Sequence, residues 1–487
     1  MASGGERKGT RMADQVDSTR GAGSDYLAAR QLKAGSASWV LLAGLGVAYV
    51  VSGDYAGWHF GLAQGGWGGL AVAAVLMAVM YTCMVLGLAE MSSALPAAGG
   101  GYTFARVAMG PWGGFATGAA ILLEYAVAPA AIATFIGGYV ESLGLFGITD
   151  GWWVYLACYV IFVGIHLLGV GEALKACFVI AAIAMVGLVL FAIGGIAAFD
   201  AANLFDIAPT DAAGASPFLP FGIVGVWASF PFAIWFFLAV EGVPLAAEEA
   251  RDPVRAVPRG IIVAMAVLVV SATAVLLLAP GAQGAQALSE SENPLVSALE
   301  VGLGGPSWLS TTVNYIGLLG LVASFFSIIY AYSRQTFALS RAGYLPRALS
   351  KTNRRKAPTL ALVVPAIIGF VLAATGNGDI LINLAVFGAT LSYVLMMVAH
   401  QVLRARHPEL ERPYRTPGGR ITTGVALVLA LAAVVATFLV DVVAALCALG
   451  AFAVLMAWFG FYSRHHLVAA APDEEFAALA KAEEELE

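Results

Sequence analysis

Charged side chains are scarce in this chain. Of its 487 residues only 11% are Asp, Glu, Lys or Arg, whereas 60% are hydrophobic. A soluble domain of ordinary composition carries about a quarter charged residues. The composition therefore excludes a string of soluble domains and predicts an all-α integral membrane protein embedded in the lipid bilayer. The basic residues are scattered rather than clustered, so we predict no binding to nucleic acid.

Cysteines and catalytic motifs are equally sparse. The four cysteines lie in apolar stretches, without CxxC spacing or a nearby histidine cluster, which favours small buried hydrophobes over metal ligands or disulfides. The sequence also lacks the GxSxG, Walker A and HExxH patterns and a Rossmann fingerprint in a strand–helix context. We therefore predict no metal site, no cofactor and no enzymatic activity.

Long apolar runs are what the chain has in abundance. About 20 apolar residues suffice for a helix to cross the hydrocarbon core, and on that basis we predict twelve transmembrane helices. They lie near 37–62, 68–95, 113–141, 152–170, 174–198, 218–247, 259–280, 309–340, 358–375, 379–402, 421–440 and 442–463.

The loops between these runs carry charge asymmetrically. With the N-terminus inside, the outer loops would hold no Lys or Arg, and all 25 basic residues would lie at the cytoplasmic side. This pattern predicts a multi-pass protein of the cytoplasmic (inner) cell membrane with both termini in the cytoplasm. The polar residues 1–36 are predicted to form a disordered cytoplasmic tail, and the acidic residues 464–487 a second cytoplasmic tail.

The first predicted span contains a carboxylate beside residues that weaken a helix. Glycine costs about 1 kcal/mol relative to alanine in a helix interior, and Ser and Asp compete for backbone hydrogen bonds. Ser52, Gly53, Asp54 and Tyr55 therefore predict an unwound segment that binds substrate, because irregular backbone at membrane depth is tolerated only where it is buried in protein or lines a cavity. The alternative is a helix kink in which local amides satisfy Asp54.

The sixth predicted span repeats this feature. Glu241 follows the aromatic residues Trp235 and Phe237 and precedes Pro244, which removes a backbone hydrogen bond and breaks the helix. Interrupted helices in corresponding halves point to a transporter's binding site, and aromatic faces favour an ammonium ion. We predict that Trp235, Phe237 and Glu241 belong to the substrate site, the alternative for Glu241 being a structural acid that caps the second half-helix.

A third acid inside a span is Glu124, which precedes the kinking residue Pro129. An acid inside a span usually faces a cavity or a partner. We interpret Glu124 as a cavity acid or proton-coupling residue, the alternative being an internal structural partner.

Two longer stretches resemble a known family. "AEMSSALPAAGGGYTFARVAMGP" after the second span and "VEGVPLAAEEARDPVRAVPRGI" after the sixth are similar to signatures of the amino acid–polyamine–organocation (APC) transporters. The resemblance implies a LeuT-type fold of two inverted five-helix repeats, with discontinuous first and sixth helices and two C-terminal helices added. It implies a transport core at 37–402, with repeats at about 37–198 and 218–402, and a loop with the two extra helices at 403–463.

Within that superfamily, "SGDYAGW" and "FFLAVEGVPLAAEE" most resemble the ethanolamine permease branch. In amino-acid members the amides of the first break bind the substrate carboxylate, and Asp54 at that place should instead attract an amine. The resemblance implies import of ethanolamine or a closely related small cationic amine, with Phe237 at the position of an aromatic gate. The alternatives are a polyamine or cationic amino-acid permease, in which Asp54 and Glu241 supply two acids, and a transporter-like amine sensor.

The coupling ion stays open. Some proton-coupled relatives carry a lysine inside the fifth span, but Lys175 lies only at its predicted start. Ser324 and Ser327 occupy the region of the eighth span where sodium-coupled relatives place hydroxyls. We favour a proton over sodium because the intramembrane acids offer titratable groups.

Overall fold

The computed structural model describes residues 37–96, 99–144, 147, 151–169 and 171–467, without the side chains of 171–176 and Glu248. The predicted tail at 1–36 and residues 468–487 of the second predicted tail lie outside this part of the chain. Within it the backbone is helical, and β structure is limited to two isolated bridges. The prediction of an all-α protein is confirmed.

The helices follow the chain in the order α1 Trp39–Val50, α2 Ser52–Tyr55, α3 Phe60–Ala94, α4 Gly101–Ser142, α5 Gly151–Leu168, α6 Gly171–Ala198, α7 Gly222–Ala228, α8 Phe230–Trp235, α9 Pro253–Gln283, α10 Ala285–Ser289, α11 Pro294–Gly302, α12 Trp308–Arg341, α13 Thr359–Ala373, α14 Gly378–Arg406, α15 Arg420–Val440 and α16 Val442–Phe461. Short 3-10 segments occur at Ala201–Phe205, Val240–Glu249, Arg347–Ser350 and Ser463–His465.

Ten helical stretches in the described residues are long and apolar enough to cross a membrane. Two shorter apolar helices, Trp39–Tyr55 and Thr359–Ala373, coincide with the first and ninth predicted spans. Helices α6, α13 and α15 expose large apolar side chains on their outer faces, such as Ile196, Ile367 and Val428. Apolar surface of this extent requires a nonaqueous environment, and the bilayer supplies it.

Asp441 shows how closely two long helices can follow each other. Its backbone is extended between α15 and α16, and its carboxylate accepts the Ala444 N–H at 2.8 Å. Aspartate is a preferred N-cap because it satisfies an amide that the helix leaves unpaired. One residue is therefore enough to end α15 and begin α16.

Two packing features position the interior. The long helices α4 and α14 pack along each other, and a Cβ added to Gly388 of α14 would come within 2.8 Å of the Glu124 amide nitrogen on α4. At one end of the bundle the Ala37 N–H donates to the Glu249 carbonyl at 2.8 Å, and the Arg251 N–H donates to the Ala37 carbonyl at 3.1 Å. The second feature joins the start of the first helix to the end of the Val240–Glu249 segment.

Candidate functional site

The first helix is interrupted at the residues that weaken it. Helix α1 ends at Val50, the single turn α2 follows, and Ala56 is then fully extended with φ −158° and ψ 162°. Gly57 has φ +96°, a conformation that glycine adopts without steric cost. Helix α3 begins only at Phe60, and its backbone is kinked at Gly66, where φ is +66°.

The sixth predicted span is interrupted as well. Helix α8 ends at Trp235, a turn follows, and Ala239 takes the left-handed φ of +76° before the Val240–Glu249 segment. A residue with a Cβ in this conformation is held there by its surroundings, at a cost of order 1–3 kcal/mol. Pro244 lies inside this segment, where it has no backbone N–H to donate to a helical hydrogen bond.

The two interruptions touch each other. A Cβ added to Gly53 would lie 2.3 Å from the Trp235 carbonyl oxygen, so only glycine permits this approach. The Trp235 indole N–H donates to the Ala56 carbonyl at 3.0 Å. The Trp58 and Phe236 rings stack with centroids 5.6 Å apart. The structure therefore brings Gly53 and Trp235 together as parts of one buried unit.

Asp54 is completely buried, and neither carboxylate oxygen has a hydrogen-bond partner in the part of the chain that the structure describes. The side chain faces the Ser271 hydroxyl of α9, which itself donates to the Leu268 carbonyl at 3.2 Å. Local amides do not satisfy this carboxylate, which argues against a kink stabilised in that way.

Ser52 and Tyr55 already have protein partners. The Ser52 and Ser324 hydroxyl oxygens are 2.8 Å apart, and Ser324 donates its proton to the Tyr49 carbonyl at 2.6 Å, so Ser52 is the donor of the pair. The Tyr55 hydroxyl donates to the Ala184 carbonyl of α6 at 2.7 Å. The Ser52 oxygen keeps a lone pair for a further donor.

The Glu241 carboxylate is surrounded by tyrosines. Tyr125 donates to one oxygen at 3.1 Å and Tyr393 to the other at 3.2 Å, while the Tyr393 and Tyr81 hydroxyls are 2.9 Å apart. The Glu124 carboxyl lies beside Glu241 and interacts with it directly, and its oxygens have no other hydrogen-bond partner among the described residues. These contacts assemble two acids and three hydroxyls from four helical elements.

Phe237 packs its ring against Tyr81, with centroids 5.4 Å apart. It also lines a cavity of about 560 Å³ between α3 and α9, whose other walls include Trp67, Val75 and Leu276. Phe237 thus lies between the tyrosines around Glu241 and this apolar space.

The predicted site residues fall into two groups. Asp54 interacts with Ser271 and Tyr55, whereas Glu241 interacts with Glu124 and the tyrosines. Sequence reasoning identified the acids but missed Ser271 and the tyrosines Tyr49, Tyr81, Tyr125 and Tyr393. Tyr125 adjoins Glu124 in sequence, and that adjacency was a usable signal; the others sit in apolar helices without one.

The described residues contain no group of three or more His, Cys, Asp or Glu side chains that could hold a metal ion. Ser327, one of the predicted sodium-type hydroxyls, is instead 2.8 Å from the Cys177 sulfur and donates to the Ala323 carbonyl at 2.7 Å.

Interrupted apolar helices that meet deep inside a helical bundle and carry buried acids define a membrane transport protein. More closely, the chain belongs to the amino acid permease family, whose model matches residues 36–461. Its predicted membership of the amino acid–polyamine–organocation superfamily is thereby confirmed.

Relatives of known and unknown substrate match most of the chain. An uncharacterized transporter of Rhizobium meliloti is 29% identical over 81% of this chain and 85% of its own. The branched-chain amino acid permease BcaP of Bacillus subtilis is 26% identical, with 74% and 79% covered. The methylthioribose transporter of the same organism is 28% identical, with 76% and 79% covered.

Proposed function

We propose that this protein imports ethanolamine or a closely related small cationic amine across the cytoplasmic membrane by alternating access. The observation that carries the proposal is the Asp54 carboxylate, which is fully buried at the first interruption without a hydrogen-bond partner among the described residues. An ionised carboxylate buried in this way is very costly unless a counter-charge accompanies it. A primary ammonium supplies that charge and three N–H donors.

The surroundings suit the remainder of such a molecule. The Ser52 oxygen can accept a hydrogen bond from a substrate hydroxyl because its own proton goes to Ser324. The aromatic rings of Trp58, Trp235 and Phe236 lie at the same interruptions and favour a cation through their π faces. The buried unit thus offers an anion, an acceptor and aromatic walls to a small amino alcohol.

Family membership leaves the substrate open, since two of the relatives named above are a branched-chain amino acid permease and a methylthioribose transporter. Selectivity must then come from residues at the interruptions. A carboxylate at position 54 repels a substrate carboxylate, so amino acids with a free carboxyl group should bind less well than an amine without one. This reasoning agrees with the resemblance of "SGDYAGW" to the ethanolamine permease branch.

We propose the following arrangement in the membrane. The short helices Trp39–Tyr55 and Thr359–Ala373 join the ten longer ones as the first and ninth of twelve spans. Repeats at about 37–198 and 218–402 form the inverted-repeat core, 403–463 adds a loop and two helices, and both termini face the cytoplasm. Movement of the interrupted helices relative to the continuous ones would expose the site to each side in turn.

A second candidate substrate is a diamine or a cationic amino acid. It is favoured by the Glu124–Glu241 pair, which provides an acidic locus with surroundings distinct from those of Asp54. A second ammonium group could reach the glutamates while the first binds Asp54. Preference for putrescine or lysine over ethanolamine in competition would support this alternative.

The decisive experiment measures uptake of radiolabelled ethanolamine into proteoliposomes, challenged with choline, putrescine, alanine and lysine. Asp54→Asn should abolish saturable uptake, while Asp211→Asn, a change of an exposed acid in a loop, should not. Normal transport by Asp54→Asn would overturn the assignment. Binding of ethanolamine without counterflow would indicate an amine sensor.

A further inference from the structure

We propose that Glu124 and Glu241 hold a single proton between them, with Glu124 as the protonated partner, and that the pair is the proton-coupling site of transport. The inference rests on the proposed transport function. It places the coupling proton away from Asp54, on the long helix α4 and the irregular segment Val240–Glu249.

The hydrogen bonds assign the roles within the pair. Each oxygen of Glu241 accepts a tyrosine hydroxyl, from Tyr125 at 3.1 Å and from Tyr393 at 3.2 Å. An ionised carboxylate is an acceptor only, whereas a protonated one has a donor to place. Glu124 has no tyrosine donor and lies against Glu241, so a proton on Glu124 completes the arrangement by donating to Glu241.

The charges around the pair require such a proton. The titratable groups that face it are Tyr125 on α4, Tyr49 on α1, Tyr81 on α3 and Tyr393 on α14. In the described ranges no Lys, Arg or His forms a hydrogen bond or ion pair with either glutamate. Two ionised carboxylates in contact at a buried site repel each other strongly, and sharing one proton removes that repulsion.

A second, independent feature is the Tyr49 hydroxyl, which is buried and has no hydrogen-bond partner within the described part of the chain. A Cβ added to Gly242, next to Glu241, would lie 3.1 Å from the Tyr49 ring and 2.9 Å from the Tyr125 hydroxyl. Tyr49 therefore brings an unused donor to the Glu241 segment. This donor can stabilise the additional negative charge when the proton leaves.

Tyr49 also links the pair to the first interruption. Its carbonyl accepts from Ser324, whose oxygen accepts from Ser52, two residues before Asp54. A change at the substrate site can therefore reach the glutamates through one side chain and two hydroxyls. Such a contiguous set of contacts is a physical route for coupling, and mutation tests it.

The proton transfer follows from relative movement. When the Val240–Glu249 segment moves away from α4, water reaches both acids, the O–H bond of Glu124 breaks, and the proton passes to water while the electron pair stays on the carboxylate. When the site next opens toward the other side, Glu124 takes a proton from water there, and the pair then closes in its protonated form. One proton is thus carried for each cycle, without any redox step.

The first test needs no substrate. Infrared spectra of the purified, empty protein at neutral pH should show the C=O stretch of a protonated carboxylic acid, and ¹³C-labelling of glutamate alone should shift that band. The band should be lost in Glu124→Gln and retained in Glu141→Gln, a change of an exposed acid on the same helix. Absence of a glutamate-derived band in the unsubstituted protein would overturn the proposal, whether or not Glu124→Gln folds.

The second test separates this inference from the substrate assignment. In proteoliposomes a pH gradient should increase ethanolamine uptake by the unsubstituted protein, and in Glu124→Gln uptake with and without the gradient should become equal. Asp54→Asn should keep the infrared band while losing uptake. A glutamate-derived infrared band in a protein that does not transport ethanolamine would overturn the proposed function and support the shared proton of Glu124 and Glu241. Ethanolamine transport by a protein that lacks this band would overturn the shared proton alone.

Discussion

Glu249 and Asp54 are buried acids on the two interrupted helices, yet their surroundings differ. The Glu249 carboxylate pairs with Arg334 of α12 at 2.7 Å and accepts the Tyr330 hydroxyl. Glu90 is similar, because Arg404 binds both of its oxygens at 2.8 and 2.6 Å and the Thr416 N–H donates to it at 2.7 Å. Asp54, by contrast, has no basic partner among the described residues.

The difference separates acids that stabilise the fold from acids that are available to a ligand. A buried carboxylate that is paired with arginine has its charge and lone pairs occupied, so removing one partner is costly. An acid inside the membrane without such a partner points to a substrate or proton. Burial alone does not distinguish the two kinds, whereas the identity of the contacting group does. The following predictions test this distinction.

The largest expected effect is on stability, from Arg334→Met. It leaves Glu249 buried and uncompensated, which we expect to lower the free energy of unfolding by about 3–5 kcal/mol. Thermal unfolding in detergent, followed by loss of the monodisperse peak, measures this. The double change with Glu249→Met should recover most of the loss, and a single variant as stable as the parent would show that the pair contributes little.

Ligand stabilisation should distinguish Asp54. At 100 times its dissociation constant, a ligand that binds only the folded state stabilises it by about 2.7 kcal/mol. Ethanolamine should therefore raise the Tm of the unsubstituted protein and not that of Asp54→Asn. Without ligand, Asp54→Asn should be no less stable than the parent, since it removes a buried charge. An equal rise in Tm in both proteins would show that the ammonium group binds at a site other than Asp54.

Glu90→Gln should behave like a change of a paired acid. The amide keeps one acceptor but loses the charge between Arg404 and Arg412, whose Nε is 3.3 Å away. Charge-assisted hydrogen bonds contribute more than neutral ones, and we expect a loss of about 2 kcal/mol in unfolding free energy. The exposed Glu411→Gln is the matched control in the neighbouring loop. Intact stability with impaired ethanolamine binding would contradict the distinction.

The smallest effect is expected for Trp235→Phe. Phenylalanine keeps an aromatic ring at this position, but the Ala56 carbonyl loses the indole N–H that donates to it. A hydrogen bond of this kind contributes about 1 kcal/mol, which should lower Tm modestly. Trp153→Phe, at a side chain that is 55% exposed, serves as control. Equal Tm values for the two variants would show that the contact between the interruptions is energetically neutral.

Local chemistry made both interruptions predictable. Gly53, Asp54, Gly242 and Pro244 weaken a helix wherever they stand, so their effect can be read without knowing the neighbours. These features depend on residues that are close in sequence.

The partners of the acids could not be predicted in this way. The position of Glu124 depends on the close packing of α4 against α14, which requires a glycine far along the chain at position 388. Whether Asp54 faces Ser271 or the glutamates is decided by the rotation of a single turn of helix. A hydropathy pattern fixes which face of a helix is buried but not which buried group stands opposite, so the division into two groups emerged only in three dimensions.

The paired backbone hydrogen bonds of Ala37 have a kinetic consequence. They fasten the start of the first helix to the Glu249–Arg251 chain, and since one residue makes both, losing one weakens the other. We therefore expect Ala37 to separate from Glu249 and Arg251 in one step, in which both hydrogen bonds are lost together. In many enzymes the opening of a closed site, rather than the chemistry, limits turnover. We therefore expect these two main-chain hydrogen bonds, which no side-chain substitution removes directly, to contribute to the barrier for opening at that end.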